Sequence, residues 1–148
     1  MPLTVTPQAI AQAPAKFAHE NGVQLRLQCF VTIRDAQDRV GLVRVEGIEG
    51  WCIPGETMLV NESPDQAAVR VARTWFRTPL GLQLERILSF PATGGDDDRW
   101  YLLFVYHADA PAALEGTPDT QEVRFFGLDE TPSPFAMAHA DVWGALRG

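Results

Sequence analysis

The stretch ESPDQAAVRVARTW, from Glu62 to Trp75, begins as a helix that could carry a charged site. Ser63 can cap it, Pro64 suits its first position, Asp65 favours the positive end of the dipole, and Gln66 completes a capping box. On that helix positions 71, 74 and 75 are spaced i, i+3 and i+4 and share a face. Carboxylates there would converge on a divalent cation, since magnesium takes hard oxygen ligands in near-octahedral geometry. The chain places Val71, Thr74 and Trp75 at those positions. They offer no ligand, a neutral hydroxyl and an indole donor.

Other chemistry is sparse. Asp96, Asp97 and Asp98 follow Gly94-Gly95 but match no cation-loop spacing, and they read as a hairpin tip. His19, His107 and His139 lie far apart, without Cys or Glu partners at zinc spacing, and read as surface or satisfied strand residues. No serine sits in a Gly-x-Ser-x-Gly elbow and neither cysteine adjoins a histidine motif, so nucleophilic catalysis has no support. Trp51, Trp75, Trp100 and Trp143, with Phe125 and Phe126, could stack on a base, although the ordinary place of such side chains is a core. Trp75 lies on the helix face shared with positions 71 and 74, and either fills the space there or offers a stacking face.

The elements that must position these residues follow from pattern. Residues 1–22 are alanine-rich and read as an N-terminal helical extension, broken at Pro14, ahead of a single domain over residues 23–148. VQLRLQCFVTIR alternates as a strand, DAQDR turns, and VGLVRV returns as a hairpin. The capped helix must stop near Arg77, because Pro79 follows. LQLERILSF, RWYLLFVYHA and QEVRFFGL read as strands, and SPFAMAHADVWGAL as a final helix started by Ser133-Pro134. Strands interleaved with helices predict an α/β (α+β) sandwich with a mixed sheet.

Composition narrows the classes. At 148 residues, 46% hydrophobic and 21% charged, the chain has enough apolar material for one proper core. A net charge of -7 repels phosphate backbones, which argues against nucleic acid as a partner. Cys29 and Cys52 sit in apolar runs and read as reduced core thiols. The start lacks a signal-peptide pattern and the longest apolar run is too short to span a bilayer, so a soluble cytoplasmic protein is expected, with no membrane partner.

Together, WCIPGE, NESPDQAAVR and QEVRFFGLDE resemble the Nudix (MutT-like) hydrolase family over roughly residues 24 to 146. The family's signature runs Gly, five residues, Glu, seven residues, Arg-Glu-aliphatic-x-Glu-Glu-x-Gly-aliphatic, after a Trp-x-x-Pro-Gly-Gly approach. Trp51, Pro54 and Gly55 match the approach, Glu62 the first glutamate, and Arg70 the arginine. Glu56 replaces the first glycine, and Val71, Thr74 and Trp75 replace the helix glutamates. The box is degenerate.

The resemblance implies an α/β/α sandwich and a hydrolase of nucleoside-diphosphate derivatives, whose magnesium or manganese holds a pyrophosphate and activates water. It carries over Glu62 and Arg70 as residual catalytic positions, and Trp51, Gly55, Glu122, Phe125 and Trp75 as substrate-binding candidates. With the helix carboxylates missing, no metal is expected. The leading expectation is a Nudix-type protein that binds a nucleotide-like ligand or another protein, or an inactive remnant of the fold. The alternative is an active, divergent pyrophosphohydrolase that gathers Mg or Mn with Glu56, Glu62, Glu85 and Glu122. A third is an unrelated α/β binding module. Glutamate at position 56 implies a different local backbone or a strained one. The alanine-rich extension suggests a homodimer.

Overall fold

The computed structural model describes residues 24–91, 99–136 and 139–147. The N-terminal extension, with His19, and the triplet Asp96, Asp97 and Asp98 lie outside the described residues.

Alternation along β1 (Gln24–Arg34) puts Cys29, Val31 and Ile33 on one side of the sheet and Phe30 on the other. The turn at Asp35 returns the chain as β2 (Val40–Val45), which meets β1 where Arg34 faces Val40. The two strands then splay, and the segment from Trp51 onward wedges between them. Cys52 bridges to Val43, while β3 (Gly55–Thr57) pairs antiparallel with β1, Glu56 facing Cys29 and Gly55 facing Phe30.

After α1 (Pro64–Trp75) come β4 (Gln83–Pro91), β5 (Arg99–Asp109), β6 (Thr120–Phe126) and α2 (His139–Arg147). The strands order as β4-β5-β1-β2-β6, with β3 beside β1; β1 and β5 run parallel and the other pairs antiparallel. One helix covers each face. Ala67, Ala68 and Val71 of α1 pack with Cys29, Val31, Phe104 and Tyr106. Val142, Trp143 and Leu146 of α2 pack with Phe30, Leu42, Leu103 and Val105. The expected α/β/α sandwich with a mixed sheet is present.

Two helix boundaries differ from expectation. Helix α1 ends at Trp75, before Arg77, because Phe76 is already extended and bridges to Gly116. The final helix is described from His139, not from Ser133-Pro134. The reason is local pairing: Trp51 N–H donates to Pro134 O at 2.9 Å, and Ala136 N–H donates to Trp51 O at 3.0 Å, so this segment is spent as a strand-like partner. Cys29 and Cys52 are buried free thiols; burial pushes Cys29 up to about 12 and raises Cys52 as well. No helix among the described residues is long and apolar enough to cross a membrane.

Candidate functional site

Helix α1 is capped as the sequence predicts. Gln66 N–H donates to Ser63 Oγ at 3.2 Å, and Ser63 N–H donates to Gln66 Oε1 at 2.9 Å. The preceding loop turns through Asn61 at φ 64, a left-handed conformation that asparagine tolerates. Leu59 N–H donates to Glu62 Oε1 at 3.0 Å, which tethers the loop to the helix start.

Arg70 ties this corner together. Its Nε donates to Glu62 Oε2 at 2.8 Å, and its Nη2 donates to Glu62 Oε1 and Thr57 O, both at 3.0 Å. Its Nη1 donates to Glu56 Oε2. Three of the four carboxylate oxygens of Glu56 and Glu62 therefore accept from one guanidinium. The hydrogen bonds from Arg70 hold the Glu62 carboxyl below its usual range against a desolvation that would raise it. Glu62, and after it Glu56, hold the guanidinium pKa up. Glu56 itself lies in β3 with extended pairing to Cys29 and is not among the positive-φ residues, so the different backbone, not the strained one, accommodates it. Gly55 is where β3 and β1 approach closely: a Cβ there would lie 2.2 Å from the Phe30 ring.

The three helix positions diverge in environment. Val71 is wholly buried against the sheet, and the exposed Thr74 spends its hydroxyl on Arg70 O at 2.8 Å. Trp75 packs against the α1-side core, and its buried indole N–H has no hydrogen-bond partner among the described residues. None of the three offers a carboxylate.

The remaining candidates are scattered. Glu85 on β4 accepts from Thr32 Oγ1 at 3.3 Å and pairs with Arg34 at 3.4 Å. Glu122 on β6 pairs with Arg124 at 2.8 Å. β4 and β6 are opposite edges of the five-strand path, roughly 19 Å apart at the usual strand spacing. Glu56 and Glu62 meet; Glu85 and Glu122 join neither them nor each other. Among the described residues no three His, Cys, Asp or Glu side chains are grouped to hold a metal ion. A magnesium or manganese ion does not fit a corner where a fixed cation already binds the carboxylates.

Of the aromatic candidates, Trp51 is buried edge-on to Phe126, and Arg44 and Arg124 lie 4.7 and 5.2 Å from its ring centroid. Its faces already have partners. Phe125 is half-buried against the α1-side core.

The sequence reading missed a second feature, on the α2 side of the sheet. Gln28, Phe30, Phe90, Tyr101, His139 and Val142, together with Asp141, line a cleft between β1, β4, β5 and the first turn of α2. Phe90 and Tyr101 are cross-strand partners with rings 5.6 Å apart. Ile53 N–H donates to His139 Nδ1 at 2.9 Å, so the proton of the neutral imidazole sits on Nε2. Burial lowers the His139 pKa to about 4 and keeps the ring neutral at ordinary pH. His139 is therefore half-buried in a helix, neither a strand nor a surface residue. His107, on β5, pairs with Asp109 at 3.0 Å.

Solved structures share this architecture. The Nudix hydrolase RenU from M. smegmatis matches with a TM-score of 0.61 at 20% identity, over 84% of this chain and 83% of that one. The MutT protein from Methanosarcina mazei Go1 matches at 0.60 and 15%, over 82% and 92%. The Nudix domain of Shewanella oneidensis NrtR, complexed with ADP ribose, matches at 0.57 and 16%, over 93% and 96%. No protein-family model matches the chain, and no curated protein matches it in sequence. The likeness is one of architecture: the chain has the Nudix fold.

Proposed function

We propose that this chain is a Nudix-fold binding protein that holds a nucleotide-like ligand and has given up the divalent-cation hydrolysis associated with the fold. The observation that carries this reading is Arg70. It donates to Glu62 through both prongs and also to Glu56, leaving the carboxylates committed to a permanent cation. A hard dication needs several free oxygens, and Val71, Thr74 and Trp75 do not replace them. The positions of Glu85 and Glu122 on opposite sheet edges weigh against a hydrolase built from carboxylates outside the helix.

The ligand class rests on two supports. The NrtR Nudix domain, alike over nearly the whole of both chains, is complexed with ADP ribose. In this chain the α2-side cleft has aromatic walls and a few polar groups, the composition of a small-molecule site. The net charge of -7 favours such a ligand over nucleic acid.

The test is calorimetric titration of ADP ribose, with and without millimolar magnesium, alongside chromatography for released AMP. Saturable binding that magnesium leaves unchanged, with no AMP, is the expected result. Magnesium-dependent AMP release that Glu62→Gln abolishes would restore the hydrolase reading. No saturable binding of ADP ribose or of any nucleoside mono- or diphosphate would remove the ligand reading.

A further inference from the structure

We infer that the outer face of α1 and the turn before it form a docking surface for the chain's own residues 1–23, with Phe17 and Ile10 as the anchoring side chains. The contact does not depend on what the α2-side cleft holds.

The surface is apolar where a turn is ordinarily polar. Between β3 and α1 the chain passes through Leu59 and Val60, which are 58% and 90% exposed. Turns favour Gly, Asn, Asp, Ser and Pro, and an aliphatic pair at such a tip has nothing local to shield it from water. Val69, 40% exposed on the first half of α1, lines the same groove. Val69 and Arg73 also border a second groove that leads on to Leu80 and Leu82, so one strip follows the helix along its length. This face points away from the sheet: Ala67, Ala68 and Val71 pack inward, while Val69 and Arg73 are exposed. A contiguous exposed apolar strip marks a contact site.

The place where the chain enters the sheet identifies the occupant. Met58 N–H donates to Leu27 O at 2.9 Å, and β3 runs antiparallel to β1. Going onward from Met58 to Val60 is therefore the same direction as going back from Leu27 to Gln24. The segment that precedes Gln24 joins the sheet beside the exposed turn, where Leu25 and Leu27 are themselves only half-buried on the α1 side. Phe17 lies seven residues before Gln24, a reach of up to about 24 Å. Val69 is about 8 Å along the helix from Pro64, well inside that reach. Phe17 is the one aromatic residue of the segment, and Ile10 is the nearest branched aliphatic before it.

Charge and tethering favour this segment over a second copy. Lys16 and Glu20 are its only Lys, Arg, Asp or Glu residues and they cancel, whereas a second chain would bring a net charge of -7 against the same charge. A short tether also supplies an effective concentration on the order of millimolar with no second molecule.

The experiment measures nuclear Overhauser contacts in the full chain, with leucine and valine methyl groups labelled. The Phe17 ring should show contacts to the methyls of Leu59, Val60 or Val69. A mixture of labelled and unlabelled chains separates contacts within one chain from contacts between two, and those from Phe17 should be within one. Phe17→Ser should shift the same methyl resonances and leave those of Val31 and Val105 in place. The first readout is taken on the wild type, so it stands whether or not the variant folds. Contacts found only between chains would make a second copy the occupant and overturn the inference. It is equally overturned if the Phe17 ring touches none of the three residues.

Discussion

Arg70 of α1 and Glu62 of the loop before its N-cap meet as a two-pronged pair, Nε–H to Oε2 at 2.8 Å and Nη2–H to Oε1 at 3.0 Å. The fork closes the loop onto α1 and uses oxygens that a cation would otherwise need. Arg70→Ala leaves Glu62 beside Glu56 with no neutralising charge. Its expected cost is about 2 kcal/mol in urea denaturation, for a pair that is only partly buried. Arg70→Lys should recover less than half of that, because an ammonium cannot make the fork. A loss of under about 0.5 kcal/mol for Arg70→Ala would show that the corner is held by other contacts.

The same pair sets an acid limit. Glu62 has its folded pKa lowered from 4.5, first by the hydrogen bond from Arg70. Between the folded value and 4.5 the unfolded chain binds a proton that the folded chain refuses. The stabilisation is therefore full above pH 4.5 and drains away as pH falls through the folded value. Glu62→Gln should unfold with a flatter pH dependence below 4.5 than the wild type. Parallel acid limbs for the two proteins would contradict the pairing.

His139 acts in a higher window. Its pKa falls from 6.5 to about 4 on folding, because burial disfavours the imidazolium. Its contribution is complete above pH 6.5 and is lost as pH drops toward 4, on the order of 3 kcal/mol. His139→Asn should lose most of the pH dependence of stability between 6.5 and 4.5, above the range in which Glu62 acts. The imidazole resonances, followed by NMR, should titrate near 4; a midpoint near 6.5 would mean that the ring is solvated.

Helix α1 does not accept a carboxylate equally at positions 71 and 74. Val71 has no exposed surface, so Val71→Glu forces a carboxyl into the core and should cost about 3 kcal/mol or more. Thr74→Glu, in solvent, should change stability by less than about 0.5 kcal/mol. Denaturant midpoints of the two variants test the contrast, and equal effects would mean that Val71 can swing outward.

Local signals carried much of the fold. The capping box at Ser63 and Gln66 depends on four consecutive residues, and the structure reproduces both of its hydrogen bonds. The pairing of Glu62 with Arg70, eight positions apart, is equally local. The final helix was misplaced because Ser133-Pro134 is a sound local start signal that Trp51 overrides from far along the chain. The cleft was illegible because Gln28, Phe90, Tyr101 and His139 come from four elements, and the strands meet through the parallel register of β1 with β5 and the antiparallel register of β5 with β4. A lone histidine gives no hint of the backbone amide that will fix its tautomer.

The parallel pairing of β1 with β5 has a cost in time. Gln24 finds Arg99 and Arg34 finds Asp109, so each contact closes a loop of about 75 residues. At roughly 5–20 residues per second on the ribosome, β1 spends several seconds with its apolar flank uncovered before its neighbour is even synthesised.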